Sequence, residues 1–240
     1  MSAAWPPANR TGPLSVVIPV RNEARGLPPL LADLATAPAL VSEVVVVDGG
    51  SRDGSATVAR LAGARVLSAP PGRGSQLGQG IAASRAPWLL LLHGDGRLPR
   101  GWAESVSAAI AQGEGRAWAF RLAIGGGNPS LRLVELAVTV RSRWRSLPYG
   151  DQGLLLSRTL HERAGGIAPL PLMEDLEFIL RLRRLAPIRL LPGALRVSDR
   201  RWRRLGVWQT TVANARLRRD WRRGESPERL AQRYRGSGGT

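Results

Sequence analysis

EVVVVDGGSRDGS, residues 43–55, joins four consecutive valines to a polar turn that begins at Asp48. An unbroken run of β-branched residues reads as a strand buried on both faces, which is the habit of a parallel sheet. DGSATVARLAG (53–63) then has helical spacing. The same alternation extends in both directions. Upstream lie a strand-like LSVVIPV (14–20) and a helical GLPPLLADLAT (26–36); downstream lie ARVLSA (64–69), GSQLGQGIAASR (74–85), PWLLLL (87–92) and RGWAESVSAAIAQG (100–113). Aliphatic strands separated by helices predict a doubly wound α/β fold, with a mostly parallel central sheet covered by helices on both faces.

The chain has 240 residues, of which 43% are hydrophobic, enough for a core that needs no covalent staples. It contains no cysteine, which excludes disulfides and thiolate metal sites. The first residues, MSAAWPPANRTGP, lack the apolar stretch of a signal peptide, and no apolar run approaches the length of a membrane-spanning helix. The expected location is therefore cytoplasmic. The net charge is +17 and all 35 basic residues are arginine. Residues 181–240 hold 17 of those arginines against four acids, so the basic character belongs to the C-terminal segment.

In parallel α/β sheets, ligands bind beyond the carboxyl ends of the strands. The residues delivered there are Arg21, Asn22 and Glu23 after the first strand, and Asp48, Gly49, Gly50 and Ser51 after the second. Gly72, Arg73 and Gly74 follow the third, and His93, Gly94 and Asp95 the fourth. Turn chemistry alone favours Asp, Asn and Gly, but four consecutive turns of this kind on one rim suggest a binding site. The turn after the first strand, PVRNEARG, is not a G-x-G-x-x-G fingerprint, and a chain without lysine has no G-x-x-x-x-G-K-[ST] loop. A bound nucleotide would thus be oriented by carboxylates, with Asp95 suited to hold a hard divalent cation against a diphosphate. Further on, Glu174 and Asp175 open an apolar-periodic stretch, PLMEDLEFILRLRR (171–184). Acids at a helix start complement its dipole, and a carboxylate beside a reacting hydroxyl can also act as a general base.

Five stretches, SVVIPVRNEARGLPPLL, EVVVVDGGSRDGS, PPGRGSQLGQG, LLHGDGRLP and PLMEDLEF, occur in this order and together resemble the family 2 glycosyltransferases of GT-A fold. LHGDGRLP, LPYGDQGLLLSR, PLMED and SDRRWRRLGV resemble more closely the subgroup called arsenosugar-biosynthesis-type, a label that leaves the acceptor open. The resemblance implies that Pro19, Asn22, Glu23, Asp48 and Arg73 serve the nucleotide. It implies that Asp95 ligates Mg²⁺ or Mn²⁺ as the last acid of a D-x-D turn. His93 replaces the first acid of that turn and is expected to face the ribose or shape the loop. Asp175, beside Glu174, corresponds to the catalytic base. Arg201 and Trp202 correspond to an R-W pair near acceptor or diphosphate, and Asp151 and Gln152 to the acceptor side. The implied reaction is inverting transfer from a UDP- or GDP-linked sugar to an acceptor hydroxyl. The alternative is a degenerate GT-A-like domain that serves as a basic membrane- or polyanion-binding module.

The implied organisation is a flexible tail (1–13), a GT-A catalytic domain (14–196), a basic amphipathic helical segment (197–235) and a disordered tail (236–240). In RRLGVWQTTVANARLRRDWRRG (203–224), Leu205, Trp208, Val212 and Ala215 recur at helical spacing, continued by Leu217 and Trp221. Such a helix either packs on the catalytic domain with a solvated basic face or lies peripherally on an anionic membrane, which would suit a lipid-linked or apolar acceptor. The tryptophans do not interleave regularly with arginine, so nucleic acid is not an expected partner. His161, in a short helical stretch before a glycine turn, is expected at the surface or in a cap.

Overall fold

The computed structural model describes residues 11–236; most of the two expected tails lies outside this range. The first half follows the predicted alternation: β1 (Leu14–Val20), α1 (Leu27–Ala35), β2 (Val41–Asp48), α2 (Ser55–Leu61), β3 (Arg65–Ser68), α3 (Arg73–Ala83), β4 (Trp88–Leu91) and α4 (Trp102–Ile110). The second half adds β5 (Ala117–Ile124), α5 (Pro129–Arg145), β6 (Leu154–Ser157), α6 (Arg158–Arg163), α7 (Glu174–Leu185) and β7 (Ile188–Val197). It closes with α8 (Arg200–Leu205), α9 (Val207–Arg222) and α10 (Pro227–Gly236). The seven strands form one sheet in the order β3-β2-β1-β4-β6-β5-β7. β1, β2, β3 and β4 are parallel, β5 runs parallel to β7, and β6 is antiparallel to both of its neighbours.

Side chains of a strand alternate between faces, and the core divides accordingly. Val16, Ile18, Val44 and Val46 pack under α1 and α4. Val17, Val45, Val47 and Leu89 pack on the opposite face against α3, α6 and α7, together with Leu217 and Leu230 from α9 and α10. A third cluster joins Leu122 and Ile124 of β5 to Leu131 and Val138 of α5 and Val207 of α9. In α3, Gly80 lets the helix lie directly on the sheet, since a Cβ there would meet Val17 Cγ1 at 2.4 Å and Val47 Cγ2 at 2.9 Å. The register aligns Val20 with Asp48 and Asp48 with Ser68, so the first three strands end level and their turns open onto one rim.

Two expectations change here. The stretch 203–224 is not one helix: Gly206 (φ 82°, ψ 150°) breaks it into α8 and α9. The buried side of α9 is Val207, Thr210 and Leu217, while Trp208 and Val212 are 60% and 46% exposed. His161 is buried rather than at the surface, with its ring 5.6 Å from that of Phe178; burial pulls its pKa down and neither ring nitrogen has a hydrogen-bond partner. Among the described residues no helix is long and apolar enough to cross a membrane.

Candidate active site

A cavity of about 470 Å³ opens at the carboxyl ends of the strands. Its floor is built from the strand ends and their turns: Pro19 near the end of β1 with Arg21 and Glu23 after it, and His93, Gly94 and Asp95 after β4. Arg73 and Gln76 of α3, Tyr149 and Asp151 before β6, and Met173 and Asp175 at the start of α7 form one wall. Arg200, Arg201, Trp202 and Arg204 of α8, Asn214 and Arg218 of α9, and Tyr234 of α10 form the other.

Asp175 is held in place by two backbone donors. Gly150 N–H donates to its Oδ2 at 2.8 Å and Leu176 N–H to its Oδ1 at 2.7 Å. Glu174, the preceding residue, turns away from the cavity and is 1% exposed. Its Oε1 pairs with Arg73 Nε at 2.9 Å, and its Oε2 has no partner. Burial raises the Glu174 pKa to about 7, outweighing the attraction of Arg73. The reciprocal field of Glu174 holds the Arg73 guanidinium firmly charged. Glu174 thus braces Arg73, and Arg73 reaches the cavity.

Asp95 and His93 share the turn after β4. Burial, and then the charge of Arg73, pushes the His93 imidazole down to about 4, so it is neutral at physiological pH. A Cβ on Gly150 would lie 2.9 Å from His93 Nε2 and 3.2 Å from Asp175 Oδ2, so the absence of a side chain at Gly150 keeps a gap between these two groups. Glu23 lies behind Asp95 and is bound by Arg200 Nη2 at 2.7 Å through both oxygens. Burial raises the Glu23 pKa, against the opposing hydrogen bond from Arg200. Burial likewise lifts Asp151 to about 6, and its Oδ1 is buried without a hydrogen-bond partner. Arg201 stacks over the Tyr234 ring at 4.1 Å, with Nε and Nη2 buried and unpartnered.

Among the described residues no three His, Cys, Asp or Glu side chains converge on a point that could hold a metal by themselves. A magnesium-like ion needs few protein ligands when phosphate oxygens and water fill its octahedron. With Glu23 already tied to Arg200, Asp95 is the carboxylate that the β4 turn offers to a cation. A single carboxylate fits a cation that takes its other ligands from a diphosphate and water.

Of the sequence-predicted residues, the structure brings Pro19, Glu23, Arg73, His93, Asp95, Asp151, Asp175, Arg201 and Trp202 to one cavity. Four others stand outside its lining. Asn22, at φ 56°, accepts from Arg52 N–H on its Oδ1 and donates its own backbone N–H to Ser51 Oγ, which fixes the turn after β1. Asp48 is buried and caps Ser51 through its backbone N–H and hydroxyl. Glu174 acts behind Arg73. Gln152, expected on the acceptor side, is fully buried: it donates to Phe120 C=O and accepts from Ser142 Oγ and Tyr149 N–H, which is a bracing role.

Sequence reasoning missed Gln76, Tyr149, Arg200, Arg204, Asn214, Arg218 and Tyr234. Gln76 donates to Val20 C=O and Val47 C=O and so ties β1 to β2 at the rim. Its signal was present: a long polar side chain one position before the inward-facing Leu77. The others come from segments far apart in the chain and carry no local pattern.

Residues 15–171 match glycosyl transferase family 2, and the chain belongs to that family. It is 34% identical over 101 residues to an uncharacterized glycosyltransferase of Mycobacterium tuberculosis and to one of Mycobacterium bovis. That match covers 42% of this chain and 44% of each relative, so the chain spans less than half the length of the curated relatives it matches. Among solved structures it is similar to glucosyl-3-phosphoglycerate synthase of M. tuberculosis in complex with Mn²⁺, UDP and phosphoglyceric acid. The likeness has TM-score 0.57 and 26% identity over 78% of this chain and 70% of that one. S. aureus TarS shares the fold (TM-score 0.62, 17% identity, 78% of this chain and 61% of that one).

Proposed function

We propose that the cavity transfers a sugar from a UDP- or GDP-linked donor to an acceptor hydroxyl with inversion, in the manner of the arsenosugar-type subgroup its motifs resemble. The observation that carries this reading is the fixed position of Asp175. Its carboxylate is held by two backbone donors and borders the same cavity as Asp95 and an arginine-rich wall. The similar synthase crystallised with Mn²⁺ and UDP supports a nucleotide donor and a divalent ion here.

In this mechanism Glu23, Pro19 and the turn braced by Asp48 and Asn22 receive the nucleoside. Arg73 and Arg201 face the diphosphate, with Trp202 beside them. Asp175 takes the proton from the acceptor hydroxyl as its oxygen bonds to the anomeric carbon, and the bond to the diphosphate oxygen breaks with its electron pair leaving on the diphosphate. General-base assistance of this kind is typically worth about 10²–10⁴-fold in rate. Mg²⁺ or Mn²⁺ held at Asp95 would neutralise charge on the departing diphosphate. Asp151, neighbouring Asp175, borders the acceptor side.

Asp175→Asn tests the reading. Transfer should be abolished while UDP or GDP still raises the melting temperature in the presence of Mn²⁺. Unchanged turnover would remove Asp175 from the mechanism.

A further inference from the structure

Eight large hydrophobic side chains stand exposed among the described residues, and six of them lie on two adjacent helices. On α5 these are Leu133, Leu136, Val140 and Trp144, exposed by 57%, 60%, 44% and 82%; on α9 they are Trp208 and Val212. The remaining two, Leu61 and Leu185, stand singly on α2 and α7. Spacings of three and four residues make the α5 set a stripe along one side of the helix. The opposite side of α5 is anchored through Leu131 and Val138 to Val207 of α9, so both helices are fixed with apolar faces outward. Arg141 of α5 and Arg218 of α9 close the contact over the Tyr149 ring, at 3.7 and 5.2 Å.

Charge identifies what covers this face. The two helices carry eight arginines and only two acids, and both acids, Glu135 and Asp220, are already paired with arginine. Arg143 and Arg145 at the end of α5, and Arg216, Arg219 and Arg222 on α9, are exposed. A second copy docked face to face would set these arginines against their own equivalents, which disfavours self-association. An anionic bilayer surface suits both features: leucine and tryptophan enter the headgroup boundary while arginines meet the lipid phosphates.

We propose that α5 and α9 together form a docking face for an anionic lipid membrane. The inference rests on this outward surface and is independent of the reaction in the cavity. Asn214, Leu217 and Arg218 of α9 line the cavity. A docked molecule therefore holds its cavity about one helix diameter, ~10 Å, from the lipid.

The test is flotation of the full chain, at physiological salt, with vesicles of equimolar phosphatidylcholine and phosphatidylglycerol and with vesicles of phosphatidylcholine alone. The wild type should float with the anionic vesicles only. The triple variant Leu136→Ser, Trp144→Ser, Trp208→Ser should bind them at least about tenfold more weakly, since it loses apolar area that enters the bilayer. All three sites are exposed, so its melting temperature should be unchanged. Absence of flotation by the wild type would overturn the proposal. So would equal binding by the triple variant, which would mark a general attraction of arginine to polyanions. A wild-type dimer in sedimentation that the triple variant abolishes would assign the face to a second copy instead.

Discussion

Substituting Gly80 by alanine sets two effects of opposite sign against each other. In a free helix the change gains roughly 1 kcal/mol, because glycine is a poor helix former. In α3 the new methyl would stand 2.4 Å from Val17 Cγ1 and 2.9 Å from Val47 Cγ2, distances at which something has to move. Val17 and Val47 are fully buried on the central strands β1 and β2, so they have little room to give. Overpacking a filled core costs typically 1–3 kcal/mol and more where the backbone must shift, so a net loss of about 1–2 kcal/mol is expected. For a domain of this size that lowers the melting temperature by roughly 2–8 °C. Thermal and urea unfolding would read it directly. Adding Val17→Ala should open space for the new methyl, so the double variant should be less destabilised than the two single changes sum to. A Gly80→Ala protein as stable as wild type, or more stable, would refute the claim that α3 is seated by contact at this point. The same helix begins at Arg73, so the variant should also weaken UDP binding.

Gly150→Ala inserts a methyl between His93 and Asp175; transfer should fall by roughly 10- to 100-fold while donor binding, followed by calorimetry, changes little. Asp95→Ala should remove the Mn²⁺-dependent part of the rise in melting temperature produced by UDP, leaving the metal-independent part in place. Asp151 has a folded-state pKa of about 6 against an ordinary 3.8, so the folded protein holds this proton more tightly than the unfolded chain. Stability from this group is therefore present below pH 3.8 and is lost as pH rises through about 6. Asp151→Asn should accordingly unfold at higher denaturant than wild type at pH 8, with the advantage gone at pH 3.5, in parallel urea titrations at the two pH values. Glu174→Gln should weaken the hold on Arg73 and reduce affinity for UDP without abolishing transfer.

β1, β2 and β4 were legible because they are buried on both faces, which leaves aliphatic runs such as Val44–Val47 with no polar interruption; β3, at the edge of the sheet, is only half-buried. β7 was harder to read, since Pro192 and Gly193 interrupt it and exposed Arg189 and Arg196 alternate with buried leucines. In α9 the period was misjudged for a specific reason. Thr210, completely buried, hides the inward side, while the exposed Trp208 and Val212 imitate one. The turns at the rim were readable from strand polarity alone, which is why Glu23, Arg73 and Asp95 could be placed at the cavity. Arg218 and Tyr234 were not, because only the return of α9 and α10 onto the sheet brings them to the cavity. Gln152 was misplaced for the converse reason: it neighbours a cavity residue in the chain but points into the core.

The cavity's charges are divided by origin. Its four carboxylates, Glu23, Asp95, Asp151 and Asp175, sit on turns and helix starts fixed by the strands, whereas four of its six arginines arrive on α8 and α9. Carboxylates and most of the arginines are thus contributed by different parts of one polypeptide. A descendant of this chain can adapt to a ligand with fewer or more negative charges by altering Arg201, Arg204 and Arg218 on two helices, while Arg200 keeps its hold on Glu23 and the carboxylates stay in register. The basic half is a tunable counterweight, and variation among related chains should concentrate there.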